Sequence, residues 1–397
     1  MRLLILASAS VIHARRWAGW FSGRGHDIRL ATLEPHGGET GPHEYRLPSR
    51  LPFDALRYPL AAPNLKKLIK EFAPELVNAH FVPGYGFLAA LVSSARPLAV
   101  TAWGSDVLVG PRKSPLHCWR IRFALSRAAL ITCDARVLAD ELLRLGVPEG
   151  KILTVPMGID PQLFHSPPGA RPEFSASRGS AGRPAVVVST RRLEKSYDLA
   201  TLVRAAVQLK NECWNFRVIL AGDGSRKAGL ERAVRREGLS EVVEFTGELT
   251  HQALASLLAG SDLYVSTATS DSTSVSLLEA LAAGLFPVVP DLPGNREWIG
   301  HGRNGLFFPA GDHRALANCL VRAFEDRGLR ENAGKINIAL VREKAVWQDN
   351  MELVERGIAQ DTVGVEVAAE LLELFAGILT GQLDLFDRCA ADNVHWL

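Results

Sequence analysis

Apolar and polar positions alternate along this chain in blocks of two periods. RLLILAS (residues 2–8) is a continuous apolar run of strand length. HARRWAGWFSGRGH follows, with Trp17, Trp20 and Phe21 at helical spacing and glycines that stop it, and DIRLATL resumes the strand pattern. Strand, helix, strand within a short span predicts the opening of a parallel α/β sheet. LVNAHFV, GFLAALVSS, LAVTAWG, a helix around RIRFALSRAA and LITCDA continue the alternation. HSPPGARPEFSASRGSAGRP (165–184) then interrupts it with Pro, Gly and Ser and few large apolar residues, the composition of a linker.

Beyond the linker the pattern restarts as PAVVVST, a helix over 198–210, FRVILAG, a helix over 225–237, VVEFTG, a helix over 251–259, DLYVST, a helix over 274–283, FPVVP and a helix over 313–326. The expected architecture is α/β: an N-terminal Rossmann-like domain over 1–164, the linker, a second Rossmann-like domain over 185–345, and C-terminal helices over 346–397 that cross back or dock as a tail. Residues 366–379 place Leu371, Leu374, Phe375, Ile378 and Leu379 on one helical face opposite Glu366, Glu370 and Glu373. Two such lobes would face a cleft, and ligands of open α/β sheets sit outside the carboxyl ends of the strands.

Composition narrows the class. At 397 residues, 47% apolar and 22% charged, the chain is globular and long enough for two domains. Residues 1–160 hold 20 Lys/Arg against 13 Asp/Glu, leaving 25 basic and 30 acidic of the totals of 45 and 43 for the rest. A basic N-terminal half suits an anionic substrate or lipid surface. Cys118, Cys133, Cys213, Cys319 and Cys389 form no CxxC pair, which fits a reducing compartment and no zinc site. The start is not a signal peptide, because His13, Arg15 and Arg16 break its short apolar run. No stretch approaches the roughly 18 apolar residues of a membrane span. The expectation is a cytoplasmic protein with at most peripheral membrane contact, and nothing points to nucleic acid.

The candidate chemistry lies at predicted strand ends. SDSTSVSLLEALAAGLFPVVPD (270–291) puts an acidic, hydroxyl-rich loop before an apolar helix. Thr273, Ser274 and Val275 stand at the helix N-terminus, where unpaired amides and the positive dipole end suit a diphosphate. Asp271 could accept from sugar hydroxyls or cap a turn, and Glu279 could hold a ribose diol or lie exposed on the helix. TRRLEKSYD supplies Arg191, Arg192 and Lys195, the usual phosphate cations. AGDGS adds Gly222 but lacks the third glycine of a dinucleotide fingerprint. In the N-terminal half, His80 could accept a proton or serve as a hydrogen-bonded structural residue. Asp106 could bind an acceptor hydroxyl or cap a helix, while His13 and Arg16 follow the first strand and could line the acceptor side. HExxH, GxSxG and P-loop patterns are missing.

With these residues assembled, the chain resembles the GT-B fold glycosyltransferases of family 4, the retaining group called group 1. The resemblance spans about residues 1–358 and is strongest over 185–326. Its hallmark is an acid, seven residues and a second acid, then an Ala-rich helix, a glycine and a strand. Carried over, it implies that Asp271 holds the donor sugar, the amides of 273–275 the diphosphate and Glu279 the ribose. It also implies Arg191 or Arg192, and Lys195, as phosphate ligands. Three departures mark this chain. Asp271 is one methylene shorter than the family's Glu, the Arg-to-Lys spacing is short, and Trp103 stands where the family often has His.

The activity implied is transfer of a sugar from a nucleoside-diphosphate sugar to a hydroxyl of a glycan or lipid-linked acceptor, with retention. No cofactor or metal is expected, since cations and a helix N-terminus do what Mg²⁺ does elsewhere. The catalytic set expected is Arg191, Lys195, Asp271 and His80, with Gly222, Arg192, Thr273, Ser274, Val275 and Glu279 on the donor and His13, Arg16, Trp103 and Asp106 toward the acceptor. Rival readings are an epimerase-like enzyme acting on the nucleotide sugar alone, or an inactive partner subunit of the same fold.

Overall fold

The computed structural model of the protein describes residues 1–34, 43–48, 54–92, 96–166 and 172–359. Thirteen strands are present among them. The first seven are β1 (Arg2–Leu6), β2 (Asp27–Thr32), β3 (Glu44–Arg46), β4 (Leu76–His80), β5 (Leu98–Thr101), β6 (Leu130–Cys133) and β7 (Ile152–Thr154). They lie in the order β3-β2-β1-β4-β5-β6-β7. The other six are β8 (Ala185–Ser189), β9 (Phe216–Ala221), β10 (Val243–Gly247), β11 (Leu263–Val265), β12 (Phe286–Pro290) and β13 (Leu306–Phe308), in the order β10-β9-β8-β11-β12-β13. The pairs β1 with β2 and β4, and β8 with β9 and β11, run parallel, and helices join β1 to β2 and β8 to β9. The two α/β sheets expected from the alternation are both there.

The long apolar runs follow from burial on both faces, as parallel sheets require. Every residue of β4 and of β12 is buried. In the second sheet Val187, Val218, Leu220 and Val265 enter one apolar cluster while Val188, Ile219, Tyr264 and Val289 enter another. Successive side chains of a strand point to opposite faces, so adjacent valines of β8 feed separate cores. Part of the expected linker joins the first of these clusters: Ala176 is buried in it and Phe174 packs edge-on to Phe324 at 6.3 Å.

By contact density the chain forms two compact units. One comprises, among the described residues, Met1–Thr101, Phe123–Ile131 and residues 354–359; the other comprises Ala102–Arg122 and Thr132–Leu353. The first unit is closed from the far end of the chain. Residues 347–359 are helical, and Glu355 bonds His26 Nε2 at 2.8 Å and pairs with Arg24 at 3.3 Å. The amphipathic stretch 366–379 lies outside the described residues.

Two glycines in the second unit bring the first site loops together. After β9, a Cβ on Gly222 would sit 2.8 Å from the Arg191 carbonyl, and one on Gly224 would sit 2.5 Å from that of Leu193. The approach is stitched by Leu193 N–H to Asp223 O (2.9 Å) and Arg226 N–H to Leu193 O (2.8 Å). Gly224→Ala should therefore destabilise by about 1–3 kcal/mol through backbone overpacking. Gly229→Ala, in the helix Lys227–Arg236 with open space around it, should stabilise by roughly 0.5–1 kcal/mol through helix propensity. Denaturant midpoints at constant slope check both, and equal effects would contradict the close approach.

Candidate active site

The loop after β11 leads into the helix Val275–Ala282. Its N-cap is Ser274, whose Oγ accepts from Leu277 N–H at 3.3 Å, so the local sequence sets the start of the helix. Glu279 falls in the second turn and is buried among Leu277, Leu278, Ala280 and Leu281. Burial of that carboxylate replaces the exposed helix position that its sequence also allowed. Pro293 and Gly294 back the loop, and a Cβ on Gly294 would meet the Ser272 carbonyl at 2.2 Å. Only glycine lets the two backbones lie that close.

Arg191, at the end of β8, reaches across to this loop. Nη2 donates to Asp271 Oδ2 at 2.7 Å, and Nη1 donates to Ser276 Oγ at 2.9 Å and to Ser274 Oγ. The guanidinium lies 4.2 Å over the Tyr197 ring. With 8% of its side chain exposed, this arginine is no open fork for a phosphate. Burial opposes its charge, but the Asp271 carboxylate together with Tyr264 and Tyr197 holds its pKa up. Burial likewise pushes the Asp271 carboxyl up, against the pull of Arg191 and the Ser272 amide.

Here the Arg191 cation pairs with Asp271, the acid expected to hold the donor sugar. Arg192 and Lys195, on the same turn, are exposed. The turn rests on the next strand's loop through Thr269 N–H to Ser196 O at 2.9 Å and Thr267 Oγ1 to Tyr197 O at 2.6 Å. A cleft of about 960 Å³ takes in Lys195, Ser196, Arg226 and Thr269. Arg191, Asp271 and Glu279 do not line it.

TAWGSD meets the same loop within the second unit. A Cβ on Gly104 would lie 2.9 Å from Ser272 Oγ. Asp106 is buried, and its Oδ1 takes the amides of Trp103 (3.0 Å) and Val107 (3.1 Å). It organises the turn, the capping alternative of its two expected roles. Trp103 is half-buried on that turn.

His80 belongs to the first unit and is sealed there. Nε2 pairs with Asn78 Oδ1 at 2.6 Å, and Trp17 packs edge-on at 4.8 Å. Burial, helped by nearby His13, lowers its pKa to about 3. That neutral imidazole is too weak a base for proton transfer near pH 7, so the catalytic expectation for His80 gives way to the structural one. His13 and Arg16 lie half-buried on the helix Ile12–Gly23 of the same unit.

Three contributors escaped the sequence reading. Ser276 shares the arginine and bonds Tyr264 Oη at 2.9 Å. Tyr197 stacks on the guanidinium. Asp134, directly after β6, accepts from Ser272 Oγ at 3.2 Å, and its carbonyl accepts from Thr273 Oγ1 at 2.7 Å. Asp134 could have been found by the strand-end rule that picked out His80 and Asp106.

Two families match successive parts of the chain: "Glycosyl transferase 4-like" over residues 2–135 and "Glycosyl transferases group 1" over residues 170–339. The amylovoran biosynthesis glycosyltransferase of Erwinia amylovora is 26% identical over 305 residues, covering 73% of this chain and 70% of that protein. A GDP-mannose-dependent alpha-mannosyltransferase of Mycobacterium tuberculosis is 28% identical over 307 residues, covering 72% and 76%. Among solved structures, the sucrose-phosphate synthase of Thermosynechococcus elongatus superposes with a TM-score of 0.77 at 17% identity, covering 92% of this chain and 100% of that one. Anabaena HepE in complex with UDP-glucose gives 0.73 at 19%, covering 90% and 99%. The fold is therefore GT-B.

Removing one partner of a buried ion pair strands the other charge. Arg191→Met should lower stability by about 3–5 kcal/mol, and adding Asp271→Asn should recover part of that loss. Additive losses in the urea-unfolding cycle would show that the pair does not hold the loop. For His80, a folded pKa below the unfolded value gives stability complete above about pH 6.5 and lost as pH falls toward 3. Its imidazole NMR signal should stay unshifted from pH 8 to 5; a titration near 6.5 would overturn the assignment.

Proposed function

We propose, from the premise that this chain belongs to the group 1 glycosyl transferases and depends on a nucleoside-diphosphate sugar, that it transfers the sugar with retention to a hydroxyl of a glycan or lipid-linked acceptor in cell-surface polysaccharide synthesis. The observation that carries the reading is the bracket formed by Asp271 and the buried Glu279 around the capped N-terminus at Ser274. A diphosphate at that N-terminus meets amide donors and the positive dipole end. Glu279 takes the ribose diol and Asp271 the sugar. Arg192 and Lys195, the exposed cations of the neighbouring turn, stabilise the charge on the departing diphosphate. Those cations and amides make a divalent ion unnecessary.

Retention follows if the departing phosphate takes the acceptor proton on the face it leaves. The neutral His80 supports this, since it supplies no base. The polysaccharide assignment leans on the amylovoran enzyme and stays at that class.

The acceptor side carries a membrane-facing surface. From Val107 to Cys133 the chain has no Asp or Glu, but it has the exposed Arg112, Lys113 and Arg122. In this segment Val109 is 38% exposed and Leu116 and Trp119 are each 53% exposed. Apolar tips amid cations suit an anionic bilayer, with the charged heads reaching the phosphates. No helix among the described residues is long and apolar enough to span a membrane, and the contact proposed is a peripheral one.

Nucleoside diphosphates at a hundred times their Kd should raise stability by about 2.7 kcal/mol, and Glu279→Ala should erase the thermal shift. Asp271→Ala should keep the shift from the bare diphosphate and lose turnover. Transfer should persist in EDTA, and NMR of the product should show the donor's anomeric configuration; inversion would sink the mechanism. Co-sedimentation with phosphatidylglycerol vesicles should fall in Leu116→Ser/Trp119→Ser, and equal sedimentation would remove this surface from the account.

A further inference from the structure

Phe81 leaves the end of β4 with φ at +73°, a left-handed backbone that suits glycine and strains a bulky residue. It opens a short π-helix, Phe81–Gly86, in which every other residue from Val82 to Gly86 is buried, while Phe81 itself is 36% exposed. Glycine here would make the same turn without strain. The chain instead holds an aromatic ring at the surface on a strained backbone, and such residues cluster where ligands bind.

The space behind the ring is filled. A Cβ on Gly84 would lie 3.0 Å from Phe81 Cδ1 and 2.6 Å from Tyr58 Cζ, so the ring's edge rests on bare backbone. Tyr58 meets Tyr85 edge-on at 5.4 Å, and the Tyr85 hydroxyl donates to Glu34, which Arg57 pairs at 2.9 Å.

The loop after β1 stands beside it in the same unit. β1 pairs with β4, Leu6 opposite Ala79, so the two segments leave the sheet as neighbours. Trp17, on the helix that follows this loop, packs 4.8 Å from the ring of His80, the residue before Phe81. The loop exposes Ser10, with Val11 40% and Ile12 43% exposed. The hydroxyls of Ser8 and Ser10 bond each other at 2.7 Å. An aromatic ring, two aliphatic tips and a hydroxyl pair thus gather at the carboxyl edge of one sheet, where ligands of open α/β sheets sit.

That mixture matches a sugar ring, which has an apolar C–H face and a hydroxyl rim. The face of an aromatic ring is its negative side and attracts such C–H groups. A bilayer would call for cations among the apolar tips. Residues 8–12 and Phe81 carry none, Arg15 is turned back onto the Ala9 carbonyl, and Arg57 is paired with Glu34.

We propose that Phe81 binds the acceptor, its ring stacking on the C–H face of the acceptor's terminal sugar with residues 8–12 at the rim. The proposal rests on the transferase reading above and names the part of the acceptor that the first unit recognises.

Saturation-transfer NMR of the full chain with methyl and octyl glycosides of glucose, galactose and mannose tests the stack. At least one methyl glycoside should bind wild type. Phe81→Tyr, which keeps the aromatic face, should retain that signal, and Phe81→Leu, which keeps apolar bulk alone, should cut it several-fold. Equal signals in wild type and Phe81→Leu would overturn the proposal, and binding confined to octyl glycosides would give the patch to an apolar aglycone instead. Should Phe81→Leu fail to fold, the wild-type map decides: protons of one sugar face should be saturated over those of the other, and an even map would end the proposal. The thermal shift from nucleoside diphosphates should be the same in Phe81→Leu as in wild type, and a shift lost with the ring would make Phe81 a residue of the fold alone. A wild type lacking that shift would sink the donor assignment and leave the glycoside signals standing, so the two readings fail separately.

Discussion

A guanidinium withdrawn from water has to find its countercharge within the protein, and that constraint organises the loop after β11. Arg191 leaves β8 and is enclosed by Tyr197, Ser274, Ser276 and Asp271. Each partner lies on a segment that sheet topology alone would leave loose. The arginine therefore fixes where Asp271 stands and also grips the serine that starts the next helix. An acid tied this way is held to one place on the loop.

The alternation of apolar runs and helical stripes was enough to give two α/β sheets, because parallel strands buried on both faces leave unbroken apolar runs in sequence. The helices expected at 198–210, 251–259 and 313–326 lie at Leu199–Asn211, His251–Gly260 and His313–Glu325. The short strands Glu44–Arg46 and Ile152–Thr154 went unread, since three residues carry no period.

Side-chain direction was less legible. Arg191 and Arg192 are adjacent and chemically identical, and only the path of the turn after β8 sends the first inward and the second to solvent. His80 sits at a strand end, where catalytic groups gather, but its fate depended on Trp17 and Asn78, far apart in sequence. Asp134 needed contacts with residues 272 and 273 that no local pattern encodes. Strand-end position marks candidates; desolvation decides their charge.

The salt link from Glu355 to Arg24 and His26 bears on how the protein is made. A chain emerging from the ribosome presents its first strands early, while their last partner waits some 330 residues downstream. Domains generally fold as units during synthesis, but this first unit is discontinuous and gains its closing helix only after the second unit has been made. The early sheet must persist without that helix while the second unit is being built.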